Sequence, residues 1–277
     1  MYWQTTRFRI ELGRPLVMGI VNVTPDSFFG SGAHASASTA IAHCEQLLAD
    51  GADLLDIGGE STRPGSHPVS CEEEMARVLP VLDAALKLGC PISIDTSKTE
   101  VMNAALNHGV DIINDINALR THGALGAVAA HPNCGVCLMH MRGTPYSMQQ
   151  QPRYGDVVEE VATFLRNRAQ ALVAHGVQLE RVAFDPGIGF GKSVAHNLEL
   201  LRRQRELLVL ARPLLVGWSR KSTLGAITGR TVDQRAAASV AAALAAVLGG
   251  ARVLRVHDVA ATVDALKVWQ SAGLMER

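Results

Sequence analysis

What this sequence of 277 residues does without narrows its possibilities before any motif is read. It carries no surplus of either charge: Lys+Arg and Asp+Glu both number 26, and the formal net charge is zero. With no basic run either, nucleic acid and anionic membrane surfaces are excluded as main partners, and only a local anion site stays open. It has no cysteine framework, because five cysteines at scattered positions do not form one. It has no apolar run near the ~20 residues of a membrane span. The longest, Ala236–Leu248, is rich in alanine and reads as a buried or interface helix. The first residues mix Arg7, Arg9 and Glu11 with apolar ones, unlike a signal peptide. Ten histidines include no HExxH and no close ligand pair, so no structural zinc site is expected. No linker or low-complexity tract interrupts the chain. The expectation is a cytoplasmic, reduced protein with one domain over residues 1–277.

What is present is a repeat. Hydrophobic residues make up 48% of the chain, enough for a large core. They gather in short runs that each stop on polar residues. Leu16–Val21 leads to Asn22, and Leu54–Ile57, which contains Asp56, to Gly58-Gly59-Glu60. Ile92–Ile94 ends on Asp95, and Ile112-Ile113 on Asn114-Asp115. Val136–Met139 ends on His140, and Val182–Phe184 on Asp185. Leu214–Gly217 leads to Ser219-Arg220-Lys221, and Val253–Val256, carrying Arg255, to His257-Asp258. Parallel strands buried on both faces read this way. Between them lie helical patterns over 35–50 (with Ser36 or Ser38 as cap), 70–88, 99–108, 123–130, 155–175, 195–210, 233–248 and 260–269. Eight strand–helix units predict an α/β fold, a single (β/α)₈ TIM barrel of the usual size of roughly 250 residues. Residues 1–14 read as a short strand or hairpin cap.

In such a barrel the strand ends line one mouth. Asp56, Asp95, Asn114, Asp115, Asp185 and Lys221 are placed there by the pattern, a set suited to a ligand rich in N–H donors. A second group holds hydroxyls, an amide and cations: Asn22, Ser61-Thr62-Arg63, Ser219-Arg220-Lys221-Ser222, Arg255 and His257. It suits an anion, phosphate or carboxylate, with Ser219–Ser222 opening a helix. Gly187–Lys192 lacks the spacing of a Walker-A loop and reads as a flexible loop that sets Phe190 beside a planar ligand. Cys134 and Cys137 form a CxxC that runs into a strand, which reads as two core cysteines and not a redox pair. His140 is a further strand-end residue within reach of a ligand.

Several of these segments together resemble a known family. They are MGIVNVTPDSF (18–28), DIGGESTRPG (56–65), IDTSK (94–98), INDI (113–116), LMHM (138–141), DPGIGFGK (185–192), GWSRKS (217–222) and RVHDV (255–259). In this order they resemble the bacterial dihydropteroate synthases of the pterin-binding barrel family. The resemblance implies a cytoplasmic homodimer, a transferase of folate biosynthesis, Mg²⁺ as cofactor, and a sulfonamide target. The implied reaction joins 6-hydroxymethyl-7,8-dihydropterin pyrophosphate to p-aminobenzoate. Carried over by residue, Asp95, Asn114, Asp185 and Lys221 would hold the pterin ring, with Asp56 nearby. Met139, Phe190, Gly217 and the Arg255 plane would pack around it. Asn22 would ligate Mg²⁺ with the pyrophosphate. Thr62, Arg63, Arg255 and His257 would surround the phosphates or approach p-aminobenzoate. Ser222 would receive the aminobenzoate carboxylate between walls made by Phe28 and Pro64. The chain departs from the family's usual SFSDGG in reading SFFGSG over 27–32, so that Gly30 replaces the loop aspartate. Alternative readings are a methyltetrahydrofolate:corrinoid methyltransferase and a pterin-binding homologue without catalysis.

Overall fold

The computed structural model describes residues 1–24, 33–62 and 65–274. Two short strands, β1 (Tyr2–Gln4) and β2 (Arg9–Glu11), pair antiparallel at the start. Eight parallel strands follow: β3 (Leu16–Asn22), β4 (Leu54–Gly58), β5 (Ile92–Asp95), β6 (Ile112–Asp115), β7 (Gly135–Met139), β8 (Val182–Asp185), β9 (Leu215–Val216) and β10 (Val253–Val256). Their order is β8-β7-β6-β5-β4-β3-β10-β9. The two ends meet where Phe184 bridges to Leu214 and donates its N–H to the Pro213 carbonyl at 2.9 Å. The sheet thus closes into the expected barrel.

The helices are α1 (Ala33–Ala49), α2 (Cys71–Ala85), α3 (Thr99–His108), α4 (Ala124–Ala130), α5 (Val157–Ala174), α6 (Val194–Arg202), α7 (Ser222–Thr228), α8 (Ala236–Leu248) and α9 (Val259–Ser271). Local chemistry sets most of the ends. Ser70 caps α2 by accepting the Glu73 N–H, and Gly109 ends α3 with a left-handed φ of 88°. Two expectations are corrected. Helix α1 already begins at Ala33, so Ser36 and Ser38 lie within it and not at its start. The pattern over 195–210 is two elements, because α6 stops at Arg202 and a 3₁₀ segment runs from Gln204 to Leu210. The kink holds Gln204 inward, where its amide donates to the Ala246 carbonyl of α8 at 2.8 Å.

Strand alternation sorts side chains into two cores. Leu55, Ile57, Ile94 and Leu138 face the helices in the outer core, while Met18, Leu54, Ile112, Cys137, Ala183 and Leu215 fill the barrel floor. The β1–β2 hairpin plugs that floor from below. Its Trp3 is fully buried, and the indole N–H donates to the Arg181 carbonyl at 2.9 Å. Above the floor the same inward positions turn polar, and the cavity begins there.

Candidate active site

Neighbouring strands bring the polar residues to one level. Gly58 of β4 stands opposite Asp95 of β5, which stands opposite Asn114 of β6. Met139 of β7 stands opposite Asp185 of β8. Across the ring, Arg255 of β10 donates through Nε to Asp56 Oδ2 at 2.6 Å and through Nη2 to Asp95 Oδ2 at 2.7 Å. Asn114 Nδ2 donates to the same Asp56 oxygen at 3.1 Å. Asp56 Oδ1 and the Ser93 hydroxyl beside it are buried without a hydrogen-bond partner.

Burial shapes the electrostatics. It pushes the Asp95 carboxyl up to about 7, against the pull of Arg255. It raises Asp185 as well, although the Gly187 N–H donates to that carboxylate at 2.6 Å and Lys221 opposes the shift. Lys221 is drawn down to about 8 by burial, with Asp185 opposing. Its Nζ lies 4.2 Å from the centre of the Phe190 ring. Phe190 in turn packs with Ile116, Met139, Met141 and Met148 in a separate apolar cluster. Acids, a cationic rim and an apolar floor therefore share one mouth. Gly217 leaves room at its edge, since a Cβ there would be 4.0 Å from the Arg255 Cβ.

The turn after β9 is tightly held. Arg220 adopts φ 58° and pairs with Asp258 at 2.5 Å, while Arg235 donates to the Arg220 carbonyl at 3.0 Å. A left-handed arginine persists when its surroundings over-determine it. Ser219 Oγ accepts the His257 N–H at 3.1 Å and lies 3.0 Å from His257 Nδ1. The hydroxyl can donate to Nδ1 or accept from it, and either way the contact fixes the orientation of the ring. Burial first, and Arg255 second, lower His257 to about 3, so its imidazole is neutral near pH 7.

The sequence placed Asp56, Asp95, Asn114, Met139, Asp185, Phe190, Gly217, Lys221, Arg255 and His257 at the mouth, and the structure assembles them there. Asn22, Thr62 and Ser222 stand at the ends of β3, beyond β4 and at the start of α7, without a hydrogen bond to that cluster among the described residues. Phe28, Gly30, Arg63 and Pro64 lie outside the described residues. Two expectations are corrected, those for Asp115 and His140. Asp115 points away from the mouth and accepts the N–H groups of Asn117 and Leu119, both at 2.7 Å. Arg220 pairs with Asp258 through Nε and Nη2. His140 is buried and bound to Lys192, and burial with the Lys192 charge lowers it to about 2. Cys134 and Cys137 are free, buried thiols pushed upward by burial, as a core pair requires.

The sequence reading missed Lys192. Its buried ammonium meets His140 Nδ1 at 2.9 Å and the carbonyls of Gly187 and Phe190 at 2.9 and 3.1 Å. It is a clamp on the loop after β8. The signal was the lysine ending the glycine-rich run, which invites a phosphate reading.

The chain matches the model of the family described as pterin binding enzyme over residues 18–257. It is 52% identical over 276 residues to the dihydropteroate synthase of Neisseria meningitidis serogroup C, covering 98% of both chains. Among solved structures it resembles Xanthomonas albilineans dihydropteroate synthase with 4-aminobenzoic acid, at 49% identity, TM-score 0.93 and full coverage of both chains. It also resembles Burkholderia cenocepacia dihydropteroate synthase complexed with 7,8-dihydropteroate, at 50% identity and TM-score 0.90, covering 99% of this chain and 96% of that one.

Proposed function

The chain belongs to the pterin-binding enzyme family, and from that premise we propose that it joins 6-hydroxymethyl-7,8-dihydropterin pyrophosphate to p-aminobenzoate, releasing 7,8-dihydropteroate and pyrophosphate. This makes it a transferase of folate biosynthesis. The observation that carries the reading is the Asp56–Arg255–Asp95 network beside Asp185 and Lys221, seated at the mouth of a barrel similar over its whole length to such enzymes.

In this reading Asp185 accepts from the 2-amino group and N3–H of the pterin, and Lys221 donates to the ring's acceptor edge. Asp95 and Asn114 take the remaining ring groups, with Asp56 beneath them. Met139 and Phe190 flank the ring plane, and Gly217 leaves it space. The bond from the pterin methylene to the pyrophosphate oxygen breaks first, and its electron pair leaves with pyrophosphate. The cation left on the methylene spreads into the ring, where the acidic cavity stabilises it. Arg255 and the neutral imidazole of His257 face the departing anion. The aryl amine of p-aminobenzoate then attacks the methylene carbon and loses its proton to solvent. That amine is already neutral near pH 7, so no strong base is required. Thr62, Arg63 and Ser222 take the second substrate, with Phe28 and Pro64 as walls.

Mg²⁺ fits this donor set in one way. Among the described residues no three His, Cys, Asp or Glu side chains are placed to hold a metal. The reading therefore takes one oxygen of Asn22 together with substrate phosphates and water, a set that suits this ion. When bound, it neutralises charge on the leaving pyrophosphate.

The proposed assembly is a cytoplasmic homodimer. Leu198, Val209, Ile227, Leu248 and Val268 are exposed on the elements from α6 to α9, and the reading places the self-contact on that side. Light scattering then reads about twice 29.5 kDa, and a monomer at micromolar concentration refutes it. The five free cysteines support a reducing compartment. The decisive assay follows pyrophosphate release and dihydropteroate with and without p-aminobenzoate. Product that requires aminobenzoate supports the reading, and tight pterin binding without product leaves only a binding homologue.

A further inference from the structure

Asn197 touches no part of the cavity, yet it joins two segments that do. It lies in α6, is 1% exposed, and its Oδ1 accepts the Gly189 N–H at 2.9 Å. Its Nδ2 donates to Thr223 Oγ1 at 2.9 Å. Gly189 adjoins Phe190, and a Cβ at Gly189 would stand 3.2 Å from Lys221 Cδ, so the loop passes directly against that lysine. Thr223, 2% exposed, follows Lys221 and Ser222 in sequence. One buried amide therefore links the loop at 187–191 to the turn at 219–222. Lys192 fixes the opposite side of the same loop to β7, which leaves Asn197 as its tie toward α7. An amide carries an acceptor and two donors in a fixed fork, and here the oxygen holds one segment and one N–H holds the other.

We propose that Asn197 is a positioning residue that couples the two substrate sites, holding Phe190 under the pterin in register with the Lys221–Ser222 turn. The proposal rests on the functional reading above. Loss of the tie leaves a buried N–H or hydroxyl unpaired, so both segments shift to regain partners.

The test uses the full chain with Asn197→Ala, Thr223→Val, Thr223→Ser and the double variant Asn197→Ala/Thr223→Val. KM for each substrate, kcat and thermal unfolding are measured. The expected result is a rise of roughly 5- to 20-fold in both KM values for Asn197→Ala and Thr223→Val. Thr223→Ser keeps the hydroxyl and stays within about twofold of the parent. The double variant resembles Asn197→Ala, because the two residues share one bond. If Asn197→Ala fails to fold, the near-isosteric Thr223→Val still reports. Unchanged KM values with lowered unfolding temperature overturn the proposal, as does a change confined to one substrate. A parent chain that makes no dihydropteroate overturns the functional reading instead.

Discussion

The Arg255 guanidinium donates its Nε–H to the fully buried Asp56 at 2.6 Å, so a cation on β10 and an anion on β4 meet at the base of the cavity. Arg255→Met removes the partner of both Asp56 and Asp95. Breaking such a pair and leaving charge behind costs about 3–5 kcal/mol. Arg255→Lys is not conservative either, since one ammonium does not reproduce the fork that reaches two carboxylates. Both variants lower the unfolding midpoint and the turnover rate, Met more than Lys. Denaturant titration beside steady-state rates checks this, and a parent-like midpoint for Arg255→Met refutes it.

Asp185→Asn tests the ring contacts. The Gly187 N–H at 2.6 Å survives, because an amide oxygen still accepts it. What is lost is the charge and one acceptor facing the pterin. Charge-assisted bonds contribute about 1.5–3 kcal/mol, so the KM for dihydropterin pyrophosphate rises roughly 10- to 100-fold while the fold is kept. Near-parent kinetics sink the assignment of Asp185 to the ring.

These two sites were legible because strand alternation is a strict code. Asn114 and Asp115 are adjacent, so one faces the cavity and the other the helices, and only the first is a ligand candidate. The motif alone does not say which of the pair turns inward; the register with Asp95 does. The barrel was legible for the same reason, as each apolar run is one strand. Asn197 and Lys192 were not legible. Asn197 sits in a helical pattern like any other, and its partner Thr223 lies 26 residues away in sequence. Lys192 looks like a phosphate ligand until its acceptors are seen to be backbone carbonyls. The break after Arg202 was hidden because a 3₁₀ turn shows nearly the same short-range periodicity as an α-helix.

Asp95 links stability to pH in a direction opposite to most carboxylates. Its folded carboxyl, pushed up to about 7 by burial, lies above the ordinary value of 3.8. The folded chain therefore binds a proton more tightly than the unfolded one. The stabilisation is fully present below about pH 4 and is lost as the pH rises through about 7. Asp95→Asn removes that loss, so at pH 8 the variant is as stable as the parent or more so, while its turnover collapses. Urea titrations across this range check the sign, and a variant that loses more stability at high pH than at low pH contradicts it.

Lys192→Met gives the complementary case. The buried ammonium is drawn down to about 7 from 10.5, with burial as the main cause and Lys221 and Arg142 adding to it. Here the unfolded chain binds the proton more tightly between these values. Stability from this group is therefore lowest below pH 7 and grows as the pH rises toward 10.5. Methionine fills the space but leaves His140 Nδ1 and the carbonyls of Gly187 and Phe190 without their donor, at about 1–3 kcal/mol. At neutral pH the relief of burying a charge offsets part of that cost. At about pH 9.5 most of that offset is gone. The variant is thus modestly destabilised near pH 7 and more so at the higher pH, and its KM for dihydropterin pyrophosphate rises because the loop bearing Phe190 is released on the β7 side. Urea midpoints of parent and variant at both pH values isolate the group from other titrating residues. A gap between the two proteins that stays the same at both pH values would mean that the carbonyl cage keeps Lys192 charged throughout, and that the loop is held by an ion and not by a neutral amine.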